Sequence, residues 1–279
     1  MKITKKTTFF LEIGEKIMNK GKKDYTFDDL IGIIKVLRGD NGCPWDRVQT
    51  HETVKMSLIE EAYEAIEALD SGDKDAFADE LGDVLLQVVF HSQIGESENT
   101  FTVTDVLNHV CNKMISRHTH IFGEDKADTP EEVLATWEKN KLKEKGILTT
   151  SQSMKDVCSY LPALMRAQKV SSKAAKSGFD WDDIDGVMDK VSEEVTELKE
   201  AVKNGNTAEI EEELGDLLFA SVSVARFADI KAETALKKAT EKFISRFEKV
   251  EELAQSQDKA LSDMPLDEQI DLWNLAKTK

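Results

Sequence analysis

Apolar residues recur at helical spacing along most of this chain. From Phe27 to Leu37 they follow one another at steps of three and four, and the polar segment from Gly39 to Gly42 ends the run. The same spacing returns from Met56 to Leu69 and from about Asp75 past Ile94. No stretch of strand length alternates apolar with polar residues. The pattern therefore predicts an all-α protein.

The predicted helix that begins near Asp75 is the longest of these. Its apolar residues cover a wide face, which predicts burial of Leu81, Val84, Leu85, Val88 and Val89. Further helices are expected at residues 105–118 and from Pro130 to Lys141, where Thr129 supplies an N-cap.

The second half of the chain repeats the first. Trp45 and Trp181 lie 136 residues apart, and Trp137 and Trp273 have the same separation. Between these landmarks the separation of matched residues falls to 133 and then to 129, so length differences lie between motifs, where loops tolerate them. We therefore expect a tandem repeat of an all-helical domain. The expected parts are an N-terminal extension at 1–26, a first domain at 27–142, a polar linker at 143–156 and a second domain at 157–279.

Each half contains four carboxylates at steps of 3, 16 and 3. Residues three apart on a helix share a face, and a short helical hairpin would bring both pairs to one groove. The first set is Glu61, Glu64, Glu80 and Asp83, and the second is Glu194, Glu197, Glu213 and Asp216.

Four converging carboxylates require a counter-charge. Two unit charges about 4 Å apart repel by roughly 1 kcal/mol in water and by about 4 kcal/mol at an effective dielectric constant of 20. Because the candidate ligands are all carboxylates, the hard ion Mg²⁺ fits best and Mn²⁺ is second. A lone Glu-x-x-Glu pair in a chain with 33% charged residues is usually a solvated helix face, but the repeated spacing favours a metal site.

Basic and aromatic residues accompany the carboxylates in both halves. Lys242 and Arg246 are four residues apart, as are their counterparts Lys113 and Arg117, so each pair shares a helical face. Such a pair suits a phosphate chain, although it could equally pair with the abundant glutamates. Trp273 and its counterpart Trp137 could stack on a base, but core packing is the commoner role of an isolated Trp. His118 and His120 are expected to be structural or surface groups.

The net charge of −17 argues against a sequence-tolerant binder of nucleic acid, which needs a basic surface. It does not exclude a nucleotide substrate, because a metal ion inverts the local sign of charge. The three cysteines lack metal-ligand spacing, and no apolar run reaches the length of a membrane span. We therefore expect a cytoplasmic protein without a membrane or nucleic-acid partner.

At its carboxylates the chain resembles the MazG family of all-α nucleoside triphosphate pyrophosphohydrolases. The family signature, Glu-Glu-x-x-Glu followed by Glu-x-x-Asp, begins here at Glu60 and again at Glu193. The Gly-Cys-Pro-Trp-Asp loop at 42–46, the Leu-Pro-Ala-Leu-Met-Arg-Ala-Gln-Lys stretch at 161–169 and the tandem layout extend the likeness from about residue 27 to the end. The resemblance implies Mg²⁺-dependent hydrolysis of NTPs and dNTPs to monophosphate and pyrophosphate by a homodimer, in nucleotide-pool house-cleaning or stress-related control.

The resemblance also implies roles for single residues. Both carboxylate sets would ligate metal, and the nucleotide would be lined by Lys190, Glu193, Lys242, Arg246 and Trp273. Glu193 would deprotonate the attacking water, while Lys242 and Arg246 would neutralise charge on the leaving group. The first half has Ser57 at the position of Lys190 and Gln93 at that of Arg226, so its site offers less positive charge to a triphosphate.

Acidic clusters on helices also occur in two other classes of protein. A ferritin-like di-metal oxidase needs Glu-x-x-His motifs, and none of the five histidines has Glu three residues before it. A non-catalytic acidic helical interaction protein is the remaining alternative, and its stability would not depend on divalent ions. The sequence leaves attack at the α- or the β-phosphorus open.

Overall fold

The computed structural model describes residues 24–277, and these belong to two compact units that divide between Asn140 and Lys141. Throughout this range the regular structure is helical, with no strand, so the all-α prediction is confirmed. Most of the expected N-terminal extension at 1–26 lies outside the described residues; within it, Thr26 caps the first helix. Between residues 24 and 277, no helix has the combined length and apolarity needed to span a membrane.

The first unit consists mainly of one helical hairpin and the helices that flank it. Its helices are α1 (Phe27–Leu37), α2 (Pro44–Val48), α3 (Ser57–Ser71), α4 (Lys74–Glu98), α5 (Val103–Arg117), α6 (Thr119–Phe122) and α7 (Pro130–Glu144). Helix α7 continues across the division between the units.

The second unit is built around a second hairpin of the same kind. Its helices are α8 (Thr150–Lys155), α9 (Ala163–Ala175), α10 (Ile184–Asn204), α11 (Thr207–Phe227), α12 (Ala232–Gln255), a 3₁₀ turn (Leu261–Asp263) and α13 (Leu266–Lys277).

The two hairpins, α3–α4 and α10–α11, turn in the same way. Gly72 ends α3 with φ of 79° and Gly205 ends α10 with φ of 71°, a left-handed conformation that favours glycine. The next residue caps the following helix: Asp73 accepts from the backbone N–H of Asp75, and Asn206 accepts from that of Ala208. These short turns hold each pair of helices side by side.

The core of the first unit lies where α1 packs against the second half of α4. Its buried members are Ile34, Val54, Val89, Phe90 and Ile94. The broad buried face expected on α4 is only partly present, because Leu81 and Leu85 near the start of α4 are exposed. The prediction was wrong for these two residues because α1 covers only the other end of α4.

In the second unit, α12 and α13 pack around Val250, Met264 and Leu272, and α9 packs on α11 and α12. The segment at 143–156, expected to be a linker, contains the short helix α8. Thr149 and Gln152 form a reciprocal capping box there, a local signal that apolar periodicity does not register. Lys145 is 2.7 Å from Asp156, and the Lys173 ammonium donates to Ser153 (2.7 Å). The first contact lies within the segment, and the second ties it to α9.

Candidate metal and nucleotide site

The hairpin of the second unit brings three carboxylates together. Glu194 on α10 and Glu213 and Asp216 on α11 each offer an oxygen, and these oxygens lie within 4.8 Å of one another. Glu194 is only 3% exposed, Glu213 is half-buried and Asp216 is exposed. We call these three residues the C-terminal cluster. A closely spaced set of carboxylates that opens to solvent on one side can hold a hard divalent cation.

Glu197, the fourth predicted ligand, lies outside this tight group but acts on it electrostatically. The pKa of the Glu213 carboxyl is raised, first by desolvation and then by the negative charges of Glu197, Glu194 and Asp216. The two predicted pairs therefore meet across the hairpin, and their charges repel one another.

Lys190 lies beside the C-terminal cluster. Its ammonium donates to Glu193 at 2.8 Å and lies 2.7 Å from Glu194, and these two bonds raise the pKa of Lys190 well above its usual range. A buried carboxylate such as Glu194 needs a counter-charge or hydrogen-bond donors. Lys190 provides this for Glu194 and also holds the exposed Glu193 next to the cluster.

The hairpin of the first unit carries the matching N-terminal cluster, in which oxygens of Glu61, Glu64 and Glu80 lie within 4.8 Å of one another. Here Asp83 is outside the tight group, whereas in the second unit its counterpart Asp216 is inside and Glu197, the counterpart of Glu64, is outside. The charge of Asp83 nonetheless helps to raise the pKa of Glu61 and of Glu80, for both of which desolvation is the largest cause.

In the first unit, Gln87 contacts the carboxylate of Glu61, as Lys190 contacts that of Glu194 in the second unit. The Gln87 amide donates to Glu61 at 3.3 Å, so the partner of this carboxylate is neutral. Sequence reasoning missed Gln87, because it lies on α4 and its contact crosses the hairpin. The N-terminal cluster therefore has less positive charge beside it than the C-terminal cluster. This agrees with the expectation from Ser57, which stands at the position of Lys190.

Lys242, Arg246 and Trp273 lie on the two helices that follow the hairpin of the second unit. Lys242 and Arg246 are on α12, and within residues 24–277 no hydrogen bond or ion pair joins either of them to the C-terminal cluster. The Trp273 ring lies 5.0 Å from the ring of Phe243, between α12 and α13. In the single chain, Trp273 therefore packs against an aromatic neighbour.

The counterpart in the first unit also packs on its neighbours. The Arg117 guanidinium lies 5.4 Å from the centre of the Trp137 ring, and the His118 ring meets the edge of Trp137 at 4.8 Å. The Nδ1 of His118 is 2.6 Å from the carbonyl oxygen of Met114. These contacts make His118 a structural group, as expected from the sequence.

Comparison with known proteins places these clusters in a family. The model of the MazG nucleotide pyrophosphohydrolase domain matches this chain twice, at residues 49–122 and 183–251. Each match contains one carboxylate cluster, which confirms the tandem repeat.

Relatives match along most of the chain. A Thermotoga maritima protein named nucleoside triphosphate pyrophosphohydrolase/pyrophosphatase MazG is 44% identical over 251 residues, which cover 90% of this chain and 95% of that protein. The Escherichia coli K12 nucleoside triphosphate pyrophosphohydrolase is 40% identical over 253 residues, covering 90% and 96%. The uncharacterized protein YabN of Bacillus subtilis is 46% identical over 258 residues, covering 91% of this chain and 52% of YabN.

Proposed function

Because the chain belongs to the MazG nucleotide pyrophosphohydrolase family, we propose that it hydrolyses nucleoside triphosphates to monophosphate and pyrophosphate with Mg²⁺. Both ribo- and deoxyribonucleotides are included, in nucleotide-pool house-cleaning or stress-related control. The observation that carries the proposal is the C-terminal cluster, where charged carboxylates from two helices converge beside a lysine.

Mg²⁺ would be held by Glu194, Glu213 and Asp216, with Glu197 beside them, and Mn²⁺ is a possible substitute. The donors fit this ion because all are carboxylate oxygens, and the mutual repulsion that raises the pKa of Glu213 is what a divalent cation relieves. When bound, the ion supplies Lewis-acid stabilisation of phosphate oxygens. The N-terminal cluster also offers three carboxylate oxygens, from Glu61, Glu64 and Glu80, and is proposed to bind a cation too.

The side chains around the cluster are proposed to act on the attacking water and on the phosphates. Glu193 is exposed and lies beside the cluster, so it would accept a proton from the water that attacks the α-phosphorus. The bond from that phosphorus to the bridging oxygen breaks, and pyrophosphate leaves. Lys190 holds Glu193 in place. The proposed phosphate contacts of Lys242 and Arg246 rest on the family resemblance and not on a contact within the single chain.

We propose that the protein is a homodimer. Exposed leucines four residues apart form the same stripe on the central helix of each unit, Leu81 and Leu85 on α4 and Leu214 and Leu218 on α11. Repeated exposed apolar surface of this kind is typical of a protein interface, and most oligomers are symmetric. A cytoplasmic location without nucleic-acid partners suits the nucleotide substrates and the net charge of −17.

Product analysis tests the proposed function. The full-length protein is incubated with each NTP and dNTP in the presence of Mg²⁺, and the products are separated. Monophosphate with pyrophosphate is expected; diphosphate with inorganic phosphate would show attack at another phosphorus. Absence of turnover together with no effect of Mg²⁺ on stability would favour the acidic interaction protein.

A matched pair of variants tests which cluster acts. Glu213→Gln should abolish most of the hydrolysis, because it removes a proposed ligand from the cluster beside Lys190. The equivalent change in the first unit, Glu80→Gln, should retain most of it, because the N-terminal cluster has Gln87 in place of a cation. Equal losses from the two changes would contradict this division between the units.

A further inference from the structure

The C-terminal cluster has a cation of its own. The Lys190 ammonium lies 2.7 Å from Oε1 of Glu194 and donates to Oε1 of Glu193 at 2.8 Å. Glu194 is the buried member of the cluster, whereas Glu213 is half-buried and Asp216 is exposed. The positive charge of Lys190 therefore lies on the carboxylate that is best shielded from water.

The N-terminal cluster has a neutral neighbour in place of this cation. Glu61, the counterpart of Glu194, accepts a hydrogen bond from the amide of Gln87. Ser57 stands four residues before Glu61, as Lys190 stands four residues before Glu194. Within the described part of the chain, no ion pair joins a lysine or an arginine to the N-terminal cluster. The two clusters therefore differ by one permanent positive charge.

This difference in charge affects how strongly each cluster holds a divalent cation. A cation at the C-terminal cluster lies close to the Lys190 ammonium, and the two positive charges repel each other. Because Glu194 is buried, solvent screens this repulsion less than it would at an exposed site. The amide of Gln87 carries no charge, so the N-terminal cluster binds a cation without this penalty.

We propose that Lys190 makes the C-terminal cluster the weaker site for free Mg²⁺, so that the N-terminal cluster holds a resident ion and the C-terminal cluster takes its ion together with the triphosphate. The inference rests on the proposed function and adds the order of binding in the two units. The triphosphate supplies negative charge that offsets Lys190, because its oxygens bind the ion and give the ammonium a second anionic partner. Lys190 thus couples the metal occupancy of the second unit to its nucleotide occupancy.

Metal titrations of the full-length protein without nucleotide test the order of binding. Mn²⁺ is added to the metal-free protein, and the free ion is measured by its paramagnetic resonance signal. The wild-type protein should bind one ion about 10- to 100-fold more tightly than a second, which is the range for one charge-assisted contact. The tight ion should be lost in Glu80→Gln and kept in Glu213→Gln. Two ions of equal affinity, or loss of the tight ion in Glu213→Gln, would overturn the inference.

Exchanging the charge between the units tests its cause. Ser57→Lys places a lysine four residues before Glu61 and should weaken the tight site by about 10- to 100-fold. Lys190→Met removes the charge but keeps an unbranched side chain, and it should strengthen the weaker site by a similar factor. Lys203→Met, at an exposed lysine near the end of α10, is the control and should change neither affinity. Circular dichroism checks the fold of each variant, and wild-type affinity at the tight site in folded Ser57→Lys would refute the role of the charge.

An NTP with a methylene group between its α- and β-phosphorus tests the coupling to the nucleotide. Equilibrium dialysis should show at least tenfold tighter binding of this analogue in Mg²⁺ than in EDTA, because ion and nucleotide raise each other's affinity by the same factor. Glu213→Gln should lose this gain and Glu80→Gln should keep it; equal wild-type affinities in Mg²⁺ and EDTA would refute the coupling. None of these measurements involves turnover. The expected ion order without NTP hydrolysis would therefore contradict the proposed function alone, and hydrolysis with equal ion affinities would contradict this inference alone.

Discussion

At the scale of the residue, folding brings carboxylates of like charge close together in both clusters and partly removes them from water. Glu194 is buried and relies on Lys190, whereas Glu61 relies on the amide of Gln87. The pKa values of Glu61, Glu80 and Glu213 are all raised, because desolvation and like charge both disfavour their ionised forms. A divalent cation would remove this penalty, so the apparent stability of the fold is expected to depend on it.

Glu213→Gln should raise the melting temperature in EDTA at pH 7.5. The folded-state pKa of Glu213 lies above its unfolded value, so its contribution to stability is lost as the pH rises through the interval between the two. At pH 7.5 the ionised carboxylate is therefore destabilising, and the neutral amide is not. Thermal melts check this.

The same variant should respond less to Mg²⁺. The wild-type melting temperature is expected to rise in millimolar Mg²⁺. The free energy of unfolding increases by about 2.7 kcal/mol when the free ion is a hundredfold above its dissociation constant. Glu213→Gln should lose part of this increase, and the exposed Glu211→Gln on the same helix should keep it. Superimposable wild-type melts in EDTA and in Mg²⁺ would count against a metal site.

A histidine pair in the first unit makes a separate prediction. His51 and His91 are joined Nδ1 to Nδ1 at 2.8 Å, and burial together with the charge of His51 lowers the pKa of His91. The unfolded chain therefore takes up this proton at a higher pH than the folded chain. Stability should fall as the pH drops below the ordinary histidine value of about 6.5. Melts between pH 7.5 and 5.5 should show a smaller acid-induced loss in His91→Leu than in wild type.

The matched control for the histidine pair is His109→Leu. His109 is exposed on α5, so this change should leave the pH dependence as in the wild-type protein. A wild-type slope in His91→Leu would mean that other groups cause the loss at low pH.

At the scale of the element, the hairpin turn decides whether the carboxylate pairs meet. Gly205 ends α10 in the left-handed region, and Asn206 caps α11, so the reversal takes place within two residues. Asn99 adopts the same left-handed conformation at the end of α4, with φ of 55°, which shows that asparagine is accepted at such a position in this fold.

Gly205→Ala should destabilise the protein by about 1 kcal/mol, because a Cβ disfavours the left-handed conformation. Gly205→Asn should cost less, since asparagine adopts this conformation more readily. Urea unfolding of the two variants measures the difference. The space around the Gly205 Cβ position is open, so a clash does not contribute, and equal losses would contradict the conformational explanation.

At the scale of the whole molecule, the two units share a layout and differ in charge. Each carries a carboxylate cluster on a hairpin and a stripe of exposed leucines on the second helix of that hairpin. The cationic neighbour of the cluster, Lys190, belongs to the second unit, and the first unit has the neutral Gln87 instead. The duplication therefore preserves the spacing of the four carboxylates, while a lysine contacts the cluster in one copy.

Leu218→Asp should weaken the proposed homodimer, because it places a charge in the exposed leucine stripe. Light scattering of the wild-type protein should give twice the chain mass of 31.3 kDa, and the variant should shift towards the single-chain mass at low concentration. Leu148→Asp, at an exposed leucine outside the helices, is the control and should not change the mass. A wild-type mass near 31.3 kDa at micromolar concentration would refute the dimer.

The sequence by itself determined the features that depend on local periodicity. Apolar spacing gave the long helices, Gly205 and Asn206 marked the hairpin turn, and the steps of 3, 16 and 3 identified both carboxylate sets. These signals are readable because helix spacing, capping and turns involve residues only a few positions apart.

Only the tertiary structure decided which side chains meet. It gave Glu61 its partner Gln87, tied Arg226 to Asp180 across 46 residues, and left Glu197 outside the closest group of oxygens. It also left Leu81 exposed where the pattern predicted burial. Such outcomes depend on how distant helices pack, because an amphipathic pattern specifies that a face is apolar and not which element covers it.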